Sequence, residues 1–401
     1  LVLLYSMGTL LCCAACETAS CACQLTKCVF KDSKMPAACA NAMYLLVFGV
    51  MTFVAFALQE WGAPEFNFYS FNIGCEDIPN IDVSACKGEN AVYRISLGMM
   101  LWFLFMMFGS FCSRRFHTGL WGVKILSLVI LTTGLFFTPM VGQDGYVQFA
   151  RVVSAVFLVS QLVYFIDAAY HWNAYFADRA YGDHFDENRN WVALALMTCF
   201  IMMLAVAVAN ILMYIFFKHC TRQTVFITVT LLLIVVATVS QLNIDDTDSS
   251  LVTSCIVSAY ATYLCWSAVS ADECNPEHQY SGEQKTLAFA LTALSLLWSC
   301  YSAGTRDVSG APLVNELTHA DSDDEDNTEP DDTLDSPSTV MFHCSMATGA
   351  VYMSMILTNW GTVAGHHSAA QMWVSIASQW VSMVMYGWTL VAPKCCPNRE
   401  F

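Results

Sequence analysis

The chain has 401 residues, of which 56% are hydrophobic and only 12% charged, with a formal net charge of −16. Soluble domains run near ~45–50% apolar and ~25% charged, so this composition excludes an ordinary soluble enzyme or binding module. Nine of the acids lie between Asp321 and Asp335, where no Lys or Arg stands, and no basic patch occurs elsewhere, which excludes a nucleic-acid partner.

Apolar runs of about twenty residues, without the two-residue alternation of barrel strands, predict an all-α, polytopic membrane protein. In chain order, residues 1–38 form a cysteine-rich segment with Cys12, Cys13 and Cys16 among its thiols. Leu1–Leu11 lacks a basic start and runs into cysteines, so no cleavable signal is expected there. Ten spans are then expected, at about 39–58, 90–111, 119–140, 147–176, 191–217, 224–242, 251–271, 286–301, 339–360 and 369–391. Residues 59–89 are expected as an outer loop, 303–338 as an acidic cytosolic loop and 393–401 as a cytosolic tail, which leaves 39–392 as the membrane domain. The fourth stretch, Val147–Phe176, has thirty residues with no proline or glycine to break a helix. At ~1.5 Å per residue it reaches roughly 45 Å, longer than the ~30 Å hydrocarbon core.

Basic residues orient the spans. Cytosolic termini put Lys27, Lys31, Lys34, Arg114, Arg115, Arg179, Arg189, Arg306, Lys394 and Arg399 inside, against Lys87, Arg151, Lys218, Arg222 and Lys285 outside. The same orientation leaves Cys75, Cys86, Cys220 and Cys274 outside, an even count suited to two disulfides. Cys75 and Cys86 share a loop, which favours their pairing and leaves Cys220 with Cys274.

Arg94, Lys124 and Asp167 fall inside the expected spans. Gln161, Tyr164, Asp167 and His171 follow one another at steps of three and four, near one face of the fourth helix. The orientation puts Lys124 and Asp167 at similar depth on adjacent helices in the cytosolic half. Two readings stand: a buried ion pair that locks the helices, or a polar seam along which a phospholipid headgroup slides. Arg94 is expected to snorkel to outer headgroups or to pair with Glu89, and His343 to be hydrogen-bonded packing. Cys12, Cys13 and Cys16, with Cys395 and Cys396 at the far end, are candidates for S-acylation, and their spacing lacks the paired knuckles of a zinc site. Ser322, before Asp323, Asp324 and Glu325, is a candidate phosphorylation site in a loop, 321–336, suited to a basic protein partner. No nucleophile elbow, phosphate loop or HExxH occurs, so neither a catalytic centre nor a cofactor is expected.

Several ordered motifs are similar to those of the serine incorporator (TMS) family. AVYRISLG (Ala91–Gly98) resembles its AVYR-x3-G, and FIDAAYHWN (Phe165–Asn173) its IDFAHSW segment. YATYLCWSAVSADECNP (Tyr260–Pro276) resembles YTMYLTWSA…CNP, FHCSMATGAVYMSMILTNW (Phe342–Trp360) resembles FHF…LY…LTNW, and WTLVAPKCCPNREF (Trp388–Phe401) the family's end. Tyr170-His171 stands where the family has His-Ser, and no N-x-Ser/Thr sequon occurs.

The resemblance implies ten spans in two helical subdomains crossed by a long diagonal fourth helix. It implies a link to phosphatidylserine and sphingolipids and non-selective movement of phospholipid between leaflets. Endoplasmic reticulum, Golgi, endosomal or plasma membranes are the implied locations. The alternative is a structural or adaptor subunit of a larger membrane assembly, without transport of its own.

Overall fold

A computed structural model of the chain describes residues 37–62, 83–112, 114–138, 143–181, 189–217, 220–242, 251–272, 274, 282–309, 337–361 and 369–395. They are helical almost throughout, with no strand among them. The reason is the solvent: in hydrocarbon a backbone must satisfy its own N–H and C=O groups, and a helix does so within one segment. The helices are α1 (Ala37–Ala57), α2 (Val83–Cys112), α3 (Arg114–Thr118), α4 (Trp121–Phe137), α5 (Gln143–Tyr181), α6 (Arg189–Phe216), α7 (Thr221–Leu242), α8 (Leu251–Ser270), α9 (Gly282–Ser309), α10 (Pro337–Leu357) and α11 (Ala369–Cys395). Pro337 opens α10 at the position where a missing N–H costs nothing.

Seven of these helices, α1, α2, α5, α6, α7, α8 and α10, are long and apolar enough to cross a membrane. The other three expected spans are also helical. At 17 residues α4 reaches ~25 Å, short of the ~30 Å hydrocarbon core. α9 carries Glu283, Lys285, Arg306 and Asp307, and α11 carries Gln371, Ser375, Ser378, Gln379 and Ser382, which lowers their hydropathy.

Two expected boundaries move. The outer loop is shorter than 59–89: Leu58–Gly62 forms a π turn after α1, and α2 starts at Val83, with Lys87, Glu89 and Asn90 buried. α5 has 39 residues, about 58 Å at ~1.5 Å per residue, and so extends beyond the expected 147–176 at both ends. Cys12, Cys13, Cys16, Cys75, Cys396, Ser322 and the loop 321–336 lie outside the described residues.

The chain divides into two compact units. Unit one comprises Leu1–Asp144 and Thr292–Thr358, with α2 at its centre against α1, α3, α4 and α10. Gly98 lets α4 approach: a Cβ there would stand 2.7 Å from Thr132 Cγ2. Unit two comprises Gly145–Leu291 and Asn359–Phe401. Its centre is α8, packed on α6, α7 and α11. α10 ends in three successive left-handed residues, Asn359 (φ 48°), Trp360 (φ 62°) and Gly361 (φ 78°), of which only glycine adopts that region freely.

Candidate functional site

Unit one encloses a polar cluster built from five helices. His117 on α3 stands 3.1 Å through Nδ1 from His343 Nε2 on α10, and 3.0 Å through Nε2 from Asn41 Oδ1 on α1. Asn41 Oδ1 only accepts, so His117 Nε2 carries a hydrogen; with neutral rings, His117 Nδ1 then accepts from His343 Nε2. Ser110 Oγ on α2 lies 3.4 Å from the same His343 nitrogen. Lys124, 1% exposed, donates from Nζ to His117 O at 2.8 Å. Its ammonium lies 4.8 Å from the ring centre of Trp121 and 5.2 Å from those of Tyr44 and Phe116. No carboxylate stands within ion-pair distance of Lys124 among the described residues. His343 is thus held by hydrogen bonds.

Arg94 does not snorkel. It is 2% exposed, and its Nη1 donates to the carbonyls of Leu135, Phe136 (3.3 Å) and Thr138 (2.7 Å). Those carbonyls belong to the end of α4, where acceptors lack intrahelical partners and the helix dipole favours a cation. The preceding Tyr93 donates to Thr358 Oγ1 at 2.9 Å. The AVYR-x3-G stretch therefore joins α2 to α10 through its tyrosine and to α4 through its arginine and glycine.

In unit two the expected stripe on α5 divides. Gln161 is buried, its Oε1 3.0 Å from the Tyr260 hydroxyl, which also lies 2.8 Å from Leu158 O. Tyr164 is half-buried. Asp167 and His171 face outward, with side chains 29% and 56% exposed. His171 Nδ1 lies 3.1 Å from Asp167 O and 3.9 Å from Asp167 Oδ1. Ala169, between them, packs in the core with Cys199, Val252 and Cys255. Lys124 and Asp167 thus each have partners within their own unit.

Unit two also holds a ladder of amides. Gln223 Nε2 on α7 donates to Val269 O (3.4 Å), Gln379 Nε2 on α11 to Thr230 Oγ1 (2.9 Å), and the Tyr386 hydroxyl to Gln241 Oε1 (3.1 Å). At one end, Cys220 and Cys274 form a disulfide with Cα atoms 6.2 Å apart. Two residues along from each, Arg222 clasps the fully buried carboxylate of Asp272 with Nε and Nη2, the Nε–Oδ2 bond being 3.0 Å. Cys86 is also in a disulfide, and so is Cys39, which was not expected. Cys395 is the last residue of α11.

Sequence reasoning missed Asn41, Tyr44, Ser110 and His117, which are single polar residues at helix ends. The amide ladder left a signal. Gln371, Ser375, Gln379, Ser382 and Tyr386 recur at steps of three and four, the period of one helix face. No group of three or more His, Cys, Asp or Glu side chains suited to a metal occurs among the described residues.

The family model described as Serine incorporator (Serinc) matches residues 11–399. Serine incorporator 5 of Macaca fascicularis is 28% identical, over 78% of this chain and 88% of that one. Serine incorporator 2 of Mus musculus is 26% identical over 98% of both chains, and a "Probable serine incorporator" of Nematostella vectensis 25% over 78% and 81%.

Proposed function

Because the chain belongs to the serine incorporator family, we propose that it moves phospholipids non-selectively between leaflets, phosphatidylserine and sphingolipid-related lipids among them. It acts without covalent chemistry of its own. The observation that carries this reading is the Asp167–His171 pair: a carboxylate and an imidazole, both partly exposed, lie one turn apart on a long apolar helix. Ionisable groups within a membrane span are rare and face protein, water or headgroups, and they mark substrate pathways. An adjacent carboxylate and imidazole present complementary partners to a headgroup that carries an ammonium and a phosphate. The pair sits seven to three residues before the end of the span Gly145–Ala174, so ~5–10 Å inside the bilayer edge.

In this reading α4, α9 and α11 complete ten crossings, α5 is the long diagonal helix, both termini are cytosolic, and the host is an endomembrane or plasma membrane. Reconstitution into vesicles carrying leaflet-specific lipid reporters tests it. Movement above protein-free vesicles is expected, reduced about ten-fold by Asp167→Leu with His171→Leu, a rise of about 1.4 kcal/mol in the barrier. No movement by the unsubstituted protein would favour the alternative, a structural or adaptor subunit using its acidic loop.

A further inference from the structure

We infer that unit two holds a file of ordered water molecules in the seam between α7, α8 and α11. The argument rests on polar atoms that the fold buries and leaves unmet. Gln223 and Gln379 are both 0% exposed, and each donates through Nε2 to a neighbour while its Oε1 has no partner. Gln371 Nε2, Ser258 Oγ and Ser382 Oγ are likewise buried and unmet. Buried polar groups are nearly always hydrogen-bonded, and each one left bare costs ~1–3 kcal/mol, so five together would consume most of the ~5–15 kcal/mol that stabilises a domain.

The unmet set contains acceptors, a donor and hydroxyls that serve as either. Only a small molecule that both donates and accepts meets all of them, and water does so with two to four bonds each. Register aligns these groups. Thr230 with Gln379, and Gln241 with Tyr386, set α7 parallel to α11, which brings Gln223 level with Gln371. From Gln223 to Gln241 the seam climbs eighteen residues of α7, ~27 Å, close to the ~30 Å thickness of the hydrocarbon core. No exposed ionisable group belongs to it, so the inference is independent of lipid movement past Asp167 and His171.

X-ray radiolytic footprinting of the full chain in lipid nanodiscs tests this, because ordered internal water generates hydroxyl radical beside the side chains it touches. Met372 and Met383, next in sequence to Gln371 and Ser382, are 1% and 5% exposed; Met106 and Met355 in unit one are 1% and 0% exposed. Hydration predicts oxidation of Met372 and Met383 at least about five-fold faster than of Met106 and Met355. Oxygen-18 should enter both products after mixing with labelled water, and Gln379→Leu should slow both reactions. Equal rates in the four methionines of the unsubstituted protein would overturn the inference, whether or not the variant folds. So would native mass spectrometry showing a retained lipid together with slow Met372 and Met383 oxidation, because an acyl chain or headgroup would then fill the seam.

Discussion

His117 and His343 meet nitrogen to nitrogen at 3.1 Å in the interior of unit one, on helices separated by more than two hundred residues of chain. Removing one ring leaves the other with a buried polar atom stripped of its partner. His343→Leu is expected to lower stability by ~1–3 kcal/mol, and the double variant His117→Leu with His343→Leu to cost less than the sum of the singles. Thermal midpoints of the purified protein in detergent, combined in a double-mutant cycle, measure the coupling. Strict additivity would show that the contact contributes nothing.

Lys124 gives a sharper test, because the two accounts of it differ in sign. With a ring cage and a carbonyl as its partners, Lys124→Met removes a desolvated ammonium and leaves Tyr44 to donate to His117 O at 3.3 Å. A midpoint equal to or above that of the unsubstituted protein is expected. A Lys124–Asp167 ion pair instead predicts a loss of ~3–5 kcal/mol, the cost of a stranded partner.

Arg94→Met is expected to destabilise by ~2–3 kcal/mol, since the end of α4 loses the cation that its carbonyls share. Arg94→Lys should recover part of this, because an ammonium supplies the charge but lacks the planar fork. Hydrogen exchange should show the loss first at residues 135–138. Uniform loosening of α2 instead would assign the arginine to packing.

Gly98→Ala places a methyl 2.7 Å from Thr132 Cγ2, closer than carbon atoms approach without displacement. A cost of ~1–3 kcal/mol follows from overpacking, and Thr132→Ser, which deletes that methyl, should restore most of it. Failure of the rescue would mean that backbone movement, and not this contact, carries the cost.

At the disulfide end of unit two, Arg222→Met strands the buried Asp272 carboxylate. The arginine is itself 42% exposed, so solvent screens part of the pair and a cost of about 2 kcal/mol is expected. Asp272→Asn should cost less, since its side-chain oxygen still accepts from the Cys274 amide. Midpoints with and without reductant separate the ion pair from the adjacent disulfide.

The spans were legible because hydrocarbon demands long apolar runs, and runs such as 191–217 can be read without knowing any neighbour. What escaped was the pairing of polar residues. For Arg94 the sequence suggests headgroups or Glu89 as partners, the usual ones for a charge near a span end; only the neighbouring α4, ending beside it, shows the backbone acceptors it serves. The start of α2 at Val83 was hidden by Lys87, Glu89 and Asn90, polar residues that read as loop but lie buried.

The left-handed turn at Asn359, Trp360 and Gly361 has a consequence for chemistry outside the genetic code. Its backbone is the mirror image of a helical turn, so a D-amino acid would sit there with less strain than the natural L-tryptophan. The natural residue is kept by its surroundings: the ring is 2% exposed and the carbonyl accepts from Arg151 at 2.9 Å. Trp360 thus marks a point where the chain accepts the less favourable hand of backbone in exchange for the position of one ring.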